Sequence, residues 1–422
     1  MLRITAIEKS DAAARPRDDD TLVKTRGRRP VVSKGEIVLA LRRRIALGEW
    51  APGSRLPTHR ELRREMNANI VTLGRAIDQL RLEGFIDTQG ARGTFVSMRP
   101  PHLYRYALVF PSHPLEENWP RVWDALAKEA VAIQRDGELE IPIYYDVVKI
   151  LGAPSGDYDR LHDDVLAHRL AGVIFASHPW VVRNTPILDE PGIPRVALME
   201  PEPADYPNVA AVRMAGNTLI ERALDYLAAK GRKRLGVLTI PGLVGEGTET
   251  IRRQAAARGM ETRPYWIQSV NRQTPISARD CIHLMMRNGQ VDRPDALLVA
   301  DDNLVEYATA GLVDAGVRVP TDVDVVVHCN FPWPTPSVVP VIRIGFDADQ
   351  LLAVCIKSID AQRQSGQLPV PVTVPALFED ELGASPAQCS SQNLSGEVDN
   401  TFLPSRTVSP NLNRRNGGSL SL

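Results

Sequence analysis

Thr72, Arg75 and Arg92 are placed to touch a polyanion. Thr72 and Arg75 lie on the face of residues 69–82 that the apolar stripe of Ile70, Leu73, Ile77 and Leu80 leaves outward. Arg92 lies between Gly90 and Gly93, at the tip of a hairpin expected from residues 85–88 and 94–98. A hydroxyl and a guanidinium on an amphipathic helix reach base edges in a major groove. An arginine on a glycine-rich tip suits a narrow minor groove, where the potential is most negative. Other chemistries find little footing. Cys281, Cys329, Cys355 and Cys389 are far apart with no Cys-x-x-Cys pair, and the eight histidines show no metal-ligand spacing. No Gly-x-Ser-x-Gly elbow or P-loop occurs, and the glycine-rich residues 242–247 read as a loop at a sheet edge. No catalytic residue, metal or cofactor is expected.

Three helices must position these side chains. Ile37, Val38, Leu41 and Ile45 give residues 35–47 one buried face, and Arg42, Arg43 and Arg44, which interrupt that stripe, are expected to face water or phosphate. Thr58 and Glu61 form a capping box just after Pro57, so a second helix runs from there to about Met66. Asn67-Ala68-Asn69 supplies a turn, with Asn69 as N-cap of the third helix. A short helix, a tight turn and a longer amphipathic helix put a recognition helix in the major groove. Charge agrees. Residues 1–100 carry 20 Lys and Arg against 12 Asp and Glu, whereas the whole chain has 50 against 51, so the remainder is net acidic.

Residues 35–98 resemble the winged-helix domain of GntR-type transcriptional regulators. The resemblance rests on the Pro52-Gly53 turn, Leu56-Pro57-Thr58-His59-Arg60-Glu61-Leu62, Glu83-Gly84-Phe85-Ile86 and Gly90-Ala91-Arg92-Gly93-Thr94-Phe95-Val96. It implies DNA contacts from Arg60, Thr72 and the wing residues Gly90, Arg92, Gly93 and Thr94. Arg60 could instead pair with Glu61 or Glu65. The chain departs from the family in having Asn69-Ile70 where Ser-Arg is usual, and Gly74-Arg75 where a second Arg is common. Asn69 and Arg75 complete the expected DNA-facing set.

From Tyr104 onward short apolar runs alternate with helical stretches. Strands are expected at 106–111, 139–145, 171–176, 194–199, 209–212, 234–240, 263–267, 296–300 and 324–328. Helices are expected at 119–135, 158–169, 215–230, 248–258, 276–288 and 304–315. Such alternation predicts parallel sheets covered by helices, here in two lobes, with ligands outside the carboxyl ends of the strands.

Residues 105–380 resemble the ligand-sensing domain of the lac-repressor family, which shares the fold of periplasmic sugar-binding proteins. The matching pieces are the 171–176 strand, Gly192-Ile193-Pro194-Arg195-Val196, the helix from Gly216 to Lys230 with Gly231-Arg232-Lys233-Arg234, Pro294-Asp295-Ala296 through Asp301-Asp302, and Gly316-Val317-Arg318-Val319-Pro320. The resemblance implies a cleft that closes on a small polar effector, commonly a sugar, with Asp301, Asp302 and Asn330 at the hydrogen-bonding places. It sets Arg213 where the family often has Asn, and Trp119 where an aromatic stacks on a sugar ring. Two simpler roles stand beside these, loop packing for Trp119 and capping of the helix near Asn303 for Asp302.

The expected architecture is α/β: an N-terminal winged helix-turn-helix (α+β), then a two-lobed periplasmic-binding-protein-like domain with parallel sheets. The boundaries are a disordered arm at 1–30, the DNA-binding domain at 31–99, a Pro-rich linker at 100–104, the effector domain at 105–382 and a Ser/Asn/Gly/Gln-rich disordered tail at 383–422. No signal-peptide core or membrane-length apolar run is present, so a cytoplasmic location without membrane contact is expected. The reading is a homodimeric, effector-controlled regulator, by default a repressor, bound to double-stranded operator DNA. The alternative is an α/β enzyme acting on a sugar-like substrate and tethered to DNA. It requires acids, histidines or a nucleophile clustered at strand ends, and Asp301-Asp302 alone does not meet that.

Overall fold

The computed structural model describes residues 32–117, 119–135, 137–148, 156–200, 206–241 and 246–383. The expected arm, nearly all of the expected tail and most of the glycine-rich 242–247 loop lie outside them. Ser33 and Glu36 form a capping box that starts α1 (Lys34–Ala46), and Thr58 with Glu61 does the same for α2 (His59–Glu65). Asn69 caps α3 (Ile70–Leu82), its side chain accepting from the Thr72 amide at 2.7 Å. Ile37, Leu41, Leu62, Leu73, Leu80 and Phe85 close a small core beneath the three helices. β1 (Ile86–Thr88) and β2 (Thr94–Val96) form the antiparallel wing, and residues 53–56 pair along the other side of β2.

Arg42 overturns the expectation of a solvent- or phosphate-facing arginine run. It is 5% exposed, and its guanidinium donates to Glu83 and lies over the Phe85 ring. Arg42 lies four residues after Val38 and three before Ile45, on the buried face of the helix, and is tolerated there because its charge is paired. Arg44 lies over Trp50 and pairs with Glu49 and Glu65.

The remainder alternates strand and helix: β3 (Tyr106–Val109), α4 (Arg121–Arg135), β4 (Ile143–Tyr144), α5 (Tyr158–Leu166), β5 (Gly172–Phe175), α6 (Pro186–Asp189), β6 (Arg195–Leu198), β7 (Ala210–Met214), α7 (Gly216–Ala229), β8 (Leu235–Thr239), α8 (Glu246–Ala257), β9 (Ile267–Ser269), α9 (Ile276–Met286), β10 (Ala296–Val299), α10 (Val305–Asp314), β11 (Asp324–Phe331), β12 (Ile342–Asp347), α11 (Ala348–Ser365), β13 (Val372–Val374) and β14 (Leu377–Phe378). Two sheets result, ordered β4-β3-β5-β6-β7-β13 and β9-β8-β10-β11-β12-β14. Only the β12–β14 pair in them is antiparallel.

Both faces of each sheet are covered, as parallel sheets require. One core joins Leu108, Ile174 and Val196 of the first sheet to Val237, Leu298 and Val326 of the second, and separate cores cover the opposite faces. The chain crosses between lobes after β7, after β12 and after β13. α11 packs on the first lobe, where a Cβ on Gly172 would fall 2.5 Å from Ile359. The winged helix and both lobes belong to one compact unit ending at Glu379.

Three expectations need correcting. The 139–145 strand shrinks to Ile143–Tyr144 plus a lone bridge at Glu140, because Pro142 lacks the N–H that a strand interior needs. Pro264 likewise turns residues 264–266 into a 3-10 turn, and β9 follows it. β12, α11, β13 and β14 extend the series beyond Asp324–Phe331, where the strand reading had stopped.

Candidate nucleic-acid interface and ligand cleft

α2 and the start of α3 border a groove lined by Thr58, Arg60, Arg63, Arg64, Asn67 and Asn69. Arg60 is exposed, with Glu61 engaged by Thr58 and Glu65 by Arg44. The choice left open for Arg60 thus falls toward a free guanidinium at the groove. Thr72 is half-buried and Arg75 exposed on the outward side of α3, while Leu73, Ala76, Ile77 and Leu80 point in. Ile70, read as part of the buried stripe, is 64% exposed instead, since the first turn of α3 projects beyond the core.

Gly90 and Arg92 form an exposed 3-10 turn at the wing tip, and Gly93 and Thr94 lead into β2. Gly93 has φ +111°, and a Cβ there would fall 2.9 Å from Nε of Arg55. Only glycine lets the wing close against that side chain. Arg55 was not singled out in the sequence, and only its place two residues after the Pro-Gly turn hinted at it. The groove, the outward face of α3 and the wing share one domain less than a hundred residues long, and their free cations make it a fit for a phosphate backbone.

A second constellation sits at the carboxyl ends of the second sheet. Asp302 is 4% exposed and accepts from Nδ2 of Asn330 at 2.6 Å. Burial pushes the Asp302 carboxyl above the usual carboxylate range; the neighbouring His328 opposes this, Asp301 adds to it, and the Asn330 hydrogen bond opposes it. Asp301, not Asp302, caps the turn that follows, accepting from the Asn303 amide at 3.0 Å, and Arg272 reaches it at 3.4 Å. At the ends of β8 and β9 in the same sheet, a cavity of about 360 Å³ is lined by Thr239, Thr248, Glu249, Arg252, Gln268 and Ser269. Thr239 is buried there, and its Oγ1 has no protein partner.

Trp119 belongs to an aromatic cluster of the first lobe, 5.0 Å from Phe110, 5.2 Å from Trp123 and 5.8 Å from Tyr145 between ring centres. Two residues on, the Arg121 amide donates to Oδ1 of Asn303 at 3.2 Å, so the two constellations meet across the lobes. Arg213 is engaged elsewhere. It lies on β7 in register with Thr373, and its guanidinium faces Glu200 at 3.3 Å. Arg272, Asn303 and His328 escaped sequence reasoning; only Asn303, adjoining the Asp pair, carried a local signal. Among the described residues, no group of three or more His, Cys, Asp or Glu side chains is placed to hold a metal ion, and no helix is long and apolar enough to cross a membrane.

Residues 33–96 match the family model of the bacterial regulatory proteins of the gntR family, and residues 224–374 that of a periplasmic binding protein-like domain. The chain thus joins a GntR-type N-terminal domain to a periplasmic-binding-protein-like C-terminal domain, the make-up of a DNA-binding transcriptional regulator with a ligand-binding sensor. Several solved structures are similar to this regulator. One is a LacI family transcriptional regulator from Arthrobacter sp. in complex with lactose, at 13% identity and TM-score 0.48, covering 65% of this chain and 97% of that one. Another is a LacI regulator from Lactobacillus casei with bound Tris, at 15% identity and TM-score 0.47, covering 67% and 96%. A third is a LacI-type regulator from Bifidobacterium animalis subsp. lactis, at 18% identity and TM-score 0.45, covering 65% and 96%. No curated protein matches the regulator in sequence.

Proposed function

We propose that this regulator binds a two-fold-related operator as a homodimer and is released from it by a small polar effector, a sugar or sugar derivative, held between the lobes. Arg60, Asn69, Thr72, Arg75 and the wing residues Gly90, Arg92, Gly93 and Thr94 meet DNA, with α3 in the major groove and the wing in the minor. The observation that carries the effector reading is the Asp301–Asp302–Asn330 cluster at the strand ends. Asn330 donates to Asp302 and Asn303 to Asp301, so the buried carboxylates and their amides offer the paired acceptors and donors that vicinal hydroxyls require. Trp119 supplies an apolar face for a sugar ring, whereas Arg213, paired with Glu200 on β7, lends no charge to the effector.

The effector acts only through its different affinity for the two arrangements of the lobes. The test is a titration of the protein against DNA from upstream of its own gene, with scrambled competitor, followed by a panel of neutral sugars and sugar acids as releasing agents. Specific binding relieved by one member supports the reading. Binding that no competitor resists, or that every sugar leaves intact, refutes the corresponding half.

A further inference from the structure

The C-cap residue of the recognition helix, Glu83, is tied into both domains at once. Its Oε2 accepts from Nε of Arg42 on α1 at 2.8 Å, and its Oε1 accepts from Gln79 on α3 at 3.0 Å. The same Oε1 accepts at 3.1 Å from Arg169, which follows α5 in the first lobe. Arg169 also donates to Asp164 of α5 at 3.1 Å, and Asp164 accepts from the hydroxyl of Tyr144 at 2.6 Å. Tyr144 ends β4, and the next residue, Tyr145, stacks in the aromatic cluster around Trp119. Arg105 adds a third cation, 3.6 Å from Asp164.

Apolar contacts flank this chain of charges. Phe85 stacks on His102 at 6.1 Å, and Leu47 lies so close to Gly192 that a Cβ there would be 3.1 Å away. The docked face is made by α1, the end of α3 and the start of β1, whereas Arg60, Asn69, Arg75 and Arg92 stay exposed on other faces.

We infer that Glu83 clamps the winged helix to the first lobe, so that the recognition helix moves with that lobe as one body. On the effector reading above, the signal passes from the cleft through Tyr144, Asp164 and Arg169 to Glu83, not through loosening of the 97–104 connection. The two carboxylates and their three guanidiniums are all at most 29% exposed, and a carboxylate shared by two guanidiniums holds its geometry far better than an exposed pair. Neutralising Arg169 breaks the clamp without touching DNA-facing or cleft-lining side chains and leaves Glu83 paired with Arg42 inside the winged helix.

The experiment compares the full-length parent with Arg169→Met, Arg169→Lys and Arg169→Gln by amide hydrogen exchange and by DNA release with the sugar panel. Arg169→Met and Arg169→Gln should speed exchange over residues 41–47, 80–86 and 97–104 by about tenfold or more, while 58–75 stays protected. Arg169→Lys, which keeps the charge, should recover part of this protection. Both clamp-breaking variants should bind DNA yet lose most of the release given by the sugar that frees the parent. Unchanged exchange at those segments, or undiminished release, overturns the clamp. Should no sugar free the parent, the effector reading fails, and the exchange comparison still decides the clamp. Faster exchange over 58–75 in Arg169→Met alone signals misfolding of that variant, and Arg169→Gln then decides.

Discussion

The indole N–H of Trp333, in the loop after β11 of the second lobe, donates to the Glu129 carboxylate on α4 of the first lobe at 3.1 Å. Lys128, one residue away, places its ammonium 5.6 Å from the same ring. Glu129 is 8% exposed, so this hydrogen bond to a charged acceptor is sheltered from water and holds the lobes together. Trp333→Phe keeps the ring and removes the donor. It should favour the open arrangement and weaken apparent effector affinity roughly tenfold, corresponding to about 1.4 kcal/mol. Calorimetric titration with the releasing sugar checks this; unchanged affinity would show that the latch does not bear on closure.

Asp302 carries an opposing balance of stability and function. Its folded pKa is raised, so its contribution to stability is fully present below the unfolded value of 3.8 and is lost as pH rises through the folded value. At neutral pH the buried charge is therefore a cost. Asp302→Asn should raise the melting temperature by about 2–4 °C at pH 7 and by less near pH 4, while the sugar response is lost. Calorimetry at the two pH values reads the first effect and DNA release the second.

His102 makes the seam between the domains acid-labile. Burial, with Arg363 and His168 adding to it, pulls its pKa from 6.5 down to about 4. A depressed histidine holds its stabilising contribution above 6.5 and loses it as pH falls toward 4, because the unfolded chain binds the proton first. Stability should decline over that window by roughly 3 kcal/mol at most from this group. In His102→Phe the decline should be visibly shallower in denaturant titrations at stepped pH.

Arg60 and Arg42 should separate contact from support. Arg60→Ala should weaken DNA binding, lower the salt slope by about one and leave effector affinity intact. Arg42→Met should instead cost the winged helix about 3 kcal/mol by removing a buried partner of Glu83. An Arg60→Ala protein with the parent's salt dependence would move the DNA face away from α2.

The winged helix was legible almost residue by residue. The Thr58–Glu61 capping box, the Asn69 cap and the glycines of the wing act over three or four residues, and each appears where local chemistry puts it. Arg42 was not legible, because its burial depends on Glu83, 41 residues away. In the sensor, the strand-helix alternation fixed the lobes up to β11. The last two crossings were missed although Leu351, Leu352, Cys355 and Ile359 carry a helical stripe. Asp301, Asp302 and Asn330 were named together by resemblance, and the structure places them together; Arg213, named with them, is held by Glu200.

By itself the sequence determined most elements up to β11, their order, the outward face of α3 and the class of fold. Those follow from periodicity, caps and turn residues, whose energies are local and can be read along the chain. Only the tertiary structure decided which charges are buried, where the lobes touch and how the winged helix is held. The deciding pairs, Arg169 with Glu83 and Trp333 with Glu129, are 86 and 204 residues apart. Nothing local distinguishes such partners from other arginines, tryptophans and glutamates, because their energy exists only once folding has excluded water from between them.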